Sequence, residues 1–355
     1  MGTGDNDDFA AGEALLRQLA VASDPVAQRE TLDGVWASLY RLVERGLNED
    51  ALRLVDLLLA WQLDREREEA PDGGWTELVA YTMQERATAL LNLGRLPESI
   101  AQCDDLLRRY GEAFENGPAG LRGYLAFALY LKGSDLISLG RWLEALAAFD
   151  DLVAKAPSVP EDERKWVAYA RAERAEALEG LGDEAGAAQA YAEAIAALGN
   201  DDDPEISVVV QRTTVARGRL LAQLGRTDEA FAIFDALIAA PEPVASVAAA
   251  EAYLRKAYWL TERRHYEAAI ATADAAVERF GSSDETHVRW NVACCMSEKI
   301  YALKALGRTD AAAFVADQLV DRFGADLDTN IEKIVAPYAH RLGRSRSRLR
   351  FPGLG

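Results

Sequence analysis

Three histidines and three cysteines are the chain's readiest bases, nucleophiles and soft metal ligands, and the sequence does not gather them. His265, His287 and His340 fall in a turn, a link and a closing segment. His287 and Cys294 share one predicted helix but stand seven residues apart, about 10 Å along its axis. That is beyond the reach of a base–nucleophile pair. Cys294 and Cys295 are neighbours that point apart on a helix, and with Cys103 they make no disulfide framework. No His-Glu-x-x-His, paired-cysteine ligand set, Gly-rich phosphate loop or nucleophile elbow occurs. The densest carboxylate run, Asp201-Asp202-Asp203 before Pro204, reads as a solvated link rather than a cation site. With no acid, base and nucleophile brought together, the chain is expected to be no enzyme and to use neither metal nor cofactor.

What does recur is a phrase. Leu-Gly-Arg returns at Leu93-Gly94-Arg95, Leu139-Gly140-Arg141, Leu224-Gly225-Arg226 and Leu306-Gly307-Arg308, with weaker copies at Gly46, Gly182 and Arg264. These seven turn residues are 48, 46, 42, 43, 39 and 43 positions apart. Four before each stands leucine: Leu42, Leu90, Leu136, Leu178, Leu221, Leu260 and Leu303. Seven before, five copies carry Ala87, Gly133, Ala175, Gly218 and Ala257; five after come Ala51, Ser99, Ala145, Ala187, Ala230, Ala269 and Ala312. Nine after, the best copies carry Val55, Phe149, Tyr191 and Phe234. Small residues on two segments let two helices approach closely, and the leucine fills their seam. A glycine between them supplies the left-handed backbone that ends the first helix. Each unit is therefore a predicted helix–turn–helix, and self-similarity of this kind builds a stacked array.

Over residues 25 to 325 this pattern resembles the tetratricopeptide repeat, whose small residue, glycine turn, alanine and aromatic hold these relative offsets. The resemblance implies an all-α, right-handed α–α superhelix of seven lengthened repeats. It departs from the family in period, which is about 34 residues there, and in the missing first-helix tryptophan. The predicted layout is an acidic tail and capping helix over 1–24, a repeat array over 25–325, a capping helix over 326–342, and a basic, disordered tail over 343–355. Pro337 is expected to kink or start a helix in the closing segment.

Composition narrows the partner. Net charge is −19, and from Lys333 onward six bases meet no acid, leaving −25 on the part before. Such a body repels nucleic acid and anionic membrane surfaces. No apolar run approaches the length of a membrane span, and Asp5, Asp7 and Asp8 oppose a secretory signal, so the expectation is a cytoplasmic protein. The basic tail is open to three readings: a solubilising end, a segment docked on the acidic array, or a contact with RNA or membrane.

On each first helix, positions 13, 10, 9, 6 and 3 before the turn form one stripe, opposite the leucine and small-residue columns. The resemblance implies that this stripe lines a concave groove for an extended peptide or partner helix. Early copies offer Trp36, Tyr40, Tyr81, Gln84, Phe127 and Tyr130; the middle copy offers Tyr169, Glu173 and Glu176; later copies offer Arg212, Arg219, Arg255, Tyr258 and Tyr301. The alternative is that these aromatics pack between neighbouring first helices. The lysine and asparagine with which clamps of this family grip a C-terminal carboxylate are absent, with Trp36 and Tyr40, Gln84 and Thr88, and Tyr130 and Ser134 in their places. A base also stands eight before the turn in six copies, Arg86, Lys132, Arg174, Arg217, Lys256 and Lys299. It is either a ladder for an anion or, preferably, a set of stems laid on apolar surface and paired with nearby acids. The function expected is a protein- or peptide-binding scaffold; the alternative is a sensor of a small peptide or metabolite that changes superhelical curvature.

Overall fold

The computed structural model describes residues 7–22, 24–68, 75–199, 203–240, 246–324 and 328–341. The first six residues, Asp201 and Asp202 of the acidic link, and the basic tail over 343–355 lie outside them. Among the described residues every regular element is helical. A leading helix α1 (Asp7–Leu19) precedes seven helix pairs and a closing helix. The pairs are α2 (Pro25–Glu44) with α3 (Asn48–Glu68), α4 (Trp75–Asn92) with α5 (Leu96–Tyr110), and, after the short α6 (Ala113–Asn116), α7 (Ala119–Ser138) with α8 (Trp142–Ala154). Then come α9 (Arg164–Gly180) with α10 (Glu184–Leu198), α11 (Pro204–Gln223) with α12 (Thr227–Ala239), α13 (Ser246–Glu262) with α14 (Tyr266–Phe280), and α15 (Thr286–Ala305) with α16 (Thr309–Phe323). The closing helix α17 (Thr329–Arg341) runs through Pro337 instead of starting there. The chain divides into two compact units, residues 1–190 and 191–355.

Length beyond the family's period goes into long helices and structured links. Both α2 and α7 have 20 residues and α3 has 21. Helix α6 and two 3-10 turns, Ala156–Ser158 and Glu161–Glu163, fill the connections on either side of the third pair. Two helices that begin with proline are capped by an aspartate. Asp24 accepts the Ala27 N–H at 3.1 Å ahead of Pro25, and Asp203 accepts the Glu205 N–H at 2.8 Å ahead of Pro204.

All seven turn residues are left-handed, six as glycine with φ between 69° and 80° and Arg264 at 62°. In every copy the next residue donates its N–H to the carbonyl of the column leucine. Leu47 binds Leu42 at 2.9 Å, Arg141 binds Leu136 at 2.8 Å, and His265 binds Leu260 at 2.8 Å. This is the closing bond of a Schellman cap, so one leucine carries both the turn's hydrogen bond and the seam.

The seam is dry. Leu42, Leu90 and Leu136 have no exposed surface, nor have Ala51, Ser99, Ala145, Ala187, Ala230 and Ala269 opposite. Cutting one such leucine to alanine costs about 2–5 kcal/mol. In two copies glycine stands seven before the turn, each time against a phenylalanine. A β-carbon at Gly133 would sit 2.3 Å from Phe149, and one at Gly218 would sit 2.6 Å from Phe234. Gly133→Ala is expected to lower the urea midpoint, because overpacking of about 1–3 kcal/mol exceeds the helix-propensity gain of about 1 kcal/mol. Phe149→Leu in the same chain should recover part of the loss. A raised midpoint for Gly133→Ala alone would contradict this packing.

One column is broken by a polar pair. Ser99 takes the alanine position, and Asp135 on α7 is buried beside it. Burial raises the Asp135 carboxyl above its ordinary value, with Ser99 opposing. The folded state therefore holds this proton at pH values where the unfolded chain has released it. Its contribution to stability is largest at low pH and falls as pH rises past the ordinary carboxylate value. Asp135→Asn is expected to raise the thermal midpoint near pH 8, on the scale of about 1–3 kcal/mol for an ill-satisfied buried polar group. Near pH 4 the two proteins should differ little; equal midpoints at both pH values would exclude a raised carboxyl.

Candidate functional site

Four first helices of the first unit, α2, α4, α7 and α9, carry the aromatic stripe, and their rings form two runs. Trp36 lies 4.8 Å from Tyr81 and 6.3 Å from Tyr40 between ring centres, and the Tyr40 and Tyr81 hydroxyls are hydrogen-bonded. Tyr81 continues to Tyr124 at 5.5 Å. Next along α7, Phe127 meets the edge of Trp166 at 4.7 Å, while Tyr130 stacks on Trp166 at 5.4 Å and meets Tyr169 at 5.5 Å. Such pairs add about 0.5–1.5 kcal/mol beyond their buried area.

The two readings of these residues meet in one arrangement. Neighbouring first helices do pack through the rings, yet most of the rings keep an open side. Trp36 is almost buried, at 9% exposed, whereas Tyr40 is 46% exposed. Tyr81, Gln84, Phe127, Tyr130 and Tyr169 are half-buried, as are Tyr124 and Trp166. Glu173, half-buried, accepts the Tyr130 hydroxyl at 2.9 Å, and Glu176 is exposed. Glu163 accepts the Trp166 indole N–H at 2.6 Å. Burial, and after it Glu173, pushes the Tyr130 phenol above its usual range. For Tyr124 burial acts first and Glu77, Glu163 and Glu85 add to it. The surface is thus aromatic, rigid and electrically negative.

Tyr124 and Trp166 were not in the predicted stripe, although both lie 16 residues before their turns. That position is one further helical step of three beyond the stripe's edge, so extending the same periodicity finds them.

In the second unit the stripe is polar. Arg212 is exposed, Arg219 donates to Gln223 at 3.1 Å, and Arg255 donates to Glu251 at 2.8 Å. Tyr258 contacts Trp259 on its own helix, and Tyr301 is 60% exposed. A cavity of about 390 Å³ among α14, α15 and α16, lined by Val277, Met296, Gln318, Asp321 and Arg322, is bordered by none of the predicted site residues.

The base column is structural. Arg86 pairs with Asp56 at 2.6 Å, Lys132 with Asp104 at 2.6 Å and Arg174 with Asp150 at 2.5 Å. In the second unit Lys256 pairs with Asp235 at 2.5 Å, and Lys299 with Asp274. Each acid stands ten after one turn and each base eight before the next, so every rung ties a second helix to the following first helix. At the remaining place the acid is Ala192, and the Nε of Arg217 is buried without a hydrogen-bond partner.

Catalytic chemistry has no foothold in the thiols. Cys103 and Cys295 are buried and Cys294 half-buried; burial, with Glu298 nearby, pushes Cys294 up to about 12. Such a thiol stays protonated at neutral pH, and so do Cys103 and Cys295, both raised mainly by burial. Among the described residues no group of three or more His, Cys, Asp or Glu is placed to hold a metal ion. Nor is any described helix long and apolar enough to cross a membrane.

Comparison with solved structures places the architecture. The apo form of RapI matches with a TM-score of 0.56 at 11% identity, over 86% of this chain and 85% of that one. The apo form of the quorum sensor NprR from B. thuringiensis matches at 0.51 and 11% identity, over 90% and 84%. A tetratricopeptide repeat protein from Parabacteroides merdae ATCC 43184 aligns at 0.47 and 13% identity, over 93% and 99%. The fold is that of a tetratricopeptide-like helical-repeat protein. No protein-family model matches the sequence, and no curated protein matches it.

The tetratricopeptide-like frame makes the missing rung testable. Ala192→Asp is expected to couple to Arg217 by about 0.5–1 kcal/mol in a double-mutant cycle with Arg217→Ala, read from urea midpoints. A coupling of zero would mean that the ladder's register does not extend to this repeat.

Proposed function

We propose that this protein is a non-enzymatic binding module that holds a polypeptide segment along the aromatic face of its first unit. One observation carries the reading. Rings from four successive first helices touch one another in two runs, and most of them are half-exposed. Aromatic side chains have few rotatable bonds, and these are already locked by one another. A ligand settling on them therefore costs little ordering entropy on the protein side. The array gives repeated, nearly equal places at each first helix, which suits an extended chain better than a compact metabolite. In this proposal the module is cytoplasmic and works as a scaffold; a sensor using the same face would differ by a ligand-dependent change in solution scattering.

The test is site-resolved photo-crosslinking. With benzoylphenylalanine in place of Tyr40 or of Tyr169, cell extract should yield a crosslinked polypeptide at both positions. Tyr81→Ala, Phe127→Ala and Tyr130→Ala combined in the same chain should remove at least nine-tenths of the product while far-UV circular dichroism stays unchanged. Undiminished crosslinking in the folded triple variant would overturn the proposal.

A further inference from the structure

The bound segment has a chemistry that the face itself dictates. Along positions 13, 10, 9, 6 and 3 before the turn, the four first helices of the first unit carry Asp33, Glu85, Glu173, Glu176 and Glu179 and not one lysine or arginine. Two of the rings are hydrogen-bonded to carboxylates. Trp166 gives its N–H to Glu163 and Tyr130 gives its hydroxyl to Glu173. Hydrogen-bonding an aromatic N–H or O–H to an anion raises electron density in the ring, and the face of a ring already carries negative charge. The chain provides its own demonstration: the Lys165 ammonium lies 5.1 Å from the centre of the Trp166 ring. Burial raises the Glu85 carboxyl, a condition that an arriving cation relieves.

On these grounds we propose that the aromatic face of the first unit selects an extended peptide bearing arginine or lysine side chains, which lie over the rings and between the flanking carboxylates. The inference rests on reading this face as the peptide site and adds the charge of what it takes. An acidic peptide would face like charges at five places on the stripe, against the single positive charge of Lys165 beside Trp166. A neutral peptide would leave the negative ring faces unused. Arginine suits the place better than lysine, because its flat guanidinium both stacks on a ring and forks to a carboxylate.

The experiment is calorimetric titration of the full-length protein with three blocked nonapeptides of equal length. The first carries three arginines separated by glycine and alanine, the second has citrulline at those places, and the third has glutamate. Arginine amide alone serves as a fourth titrant, to separate a polypeptide from a free cation. The arginine peptide should bind, weaken as salt rises, and exceed the citrulline peptide by about ten-fold or more, with glutamate and free arginine amide weaker still. Glu173→Gln, Glu176→Gln and Glu179→Gln together should lower its affinity by about ten-fold. The charge-matched control Glu112→Gln, Glu115→Gln and Asp162→Asn, away from the stripe, should change it less than two-fold. Equal binding of arginine and citrulline peptides, both still lost in the aromatic triple variant, would overturn the charge assignment and leave the peptide site standing. Equal losses in the stripe and control variants would show adventitious attraction to an acidic protein and overturn the proposal. Binding of no peptide at all would overturn both readings.

Discussion

Everything in this protein hangs on one hydrogen bond made seven times, from the residue after a left-handed turn to the carbonyl of the leucine four before it. The bond reverses the chain tightly enough that the second helix must lie against the first. Small residues stand where the backbones come closest in five of the seven copies, and the leucine side chain closes what remains. Gly133 and Gly218 show the same constraint from the other side. Where the second helix brings Phe149 or Phe234 into the seam, even a methyl group has no room. The repeat tolerates wide variation elsewhere because these few columns hold its geometry.

Successive repeats are joined in two different ways on two faces. On one, Asp and Arg or Lys form solvent-facing rungs, each partly exposed and individually weak. On the other, in the first unit, aromatic rings touch from one first helix to the next and supply contact energy that does not fade with salt. The polar pair Ser99–Asp135 lies inside the packing instead of on either face, and it is the place where the array accepts a buried carboxylate at a cost in stability.

The aromatic face is therefore both a structural contact and an exposed surface. The rings touch one another, and most of them keep an open side. Its negative charge has the same double character. Glu163 and Glu173 complete the hydrogen bonding of the rings, and Glu176 remains in solvent. A surface of that kind gains specificity from charge and geometry together, since each alone is common on helical arrays.

The repeat register was legible without coordinates, because it rests on side-chain size and on the one backbone conformation that glycine adopts freely. The leucine column apart from the half-buried Leu178, the alanine column and the seven turns stand where spacing put them, and Arg264 takes the left-handed conformation that its place in the register demands. Local rules of this sort involve residues within about ten positions of each other, so a linear reading reaches them. The same reading left open whether Trp36 and the other stripe aromatics are exposed or packed, and it stopped one helical step short of Tyr124 and Trp166. It preferred a structural role for the bases eight before each turn but could not say which acids they meet. Those matters depend on which helix lies beside which and how far each ring reaches across the gap. Exposure is a property of neighbours some forty residues away, and only the folded chain brings Tyr81 to Trp36 and Asp104 to Lys132.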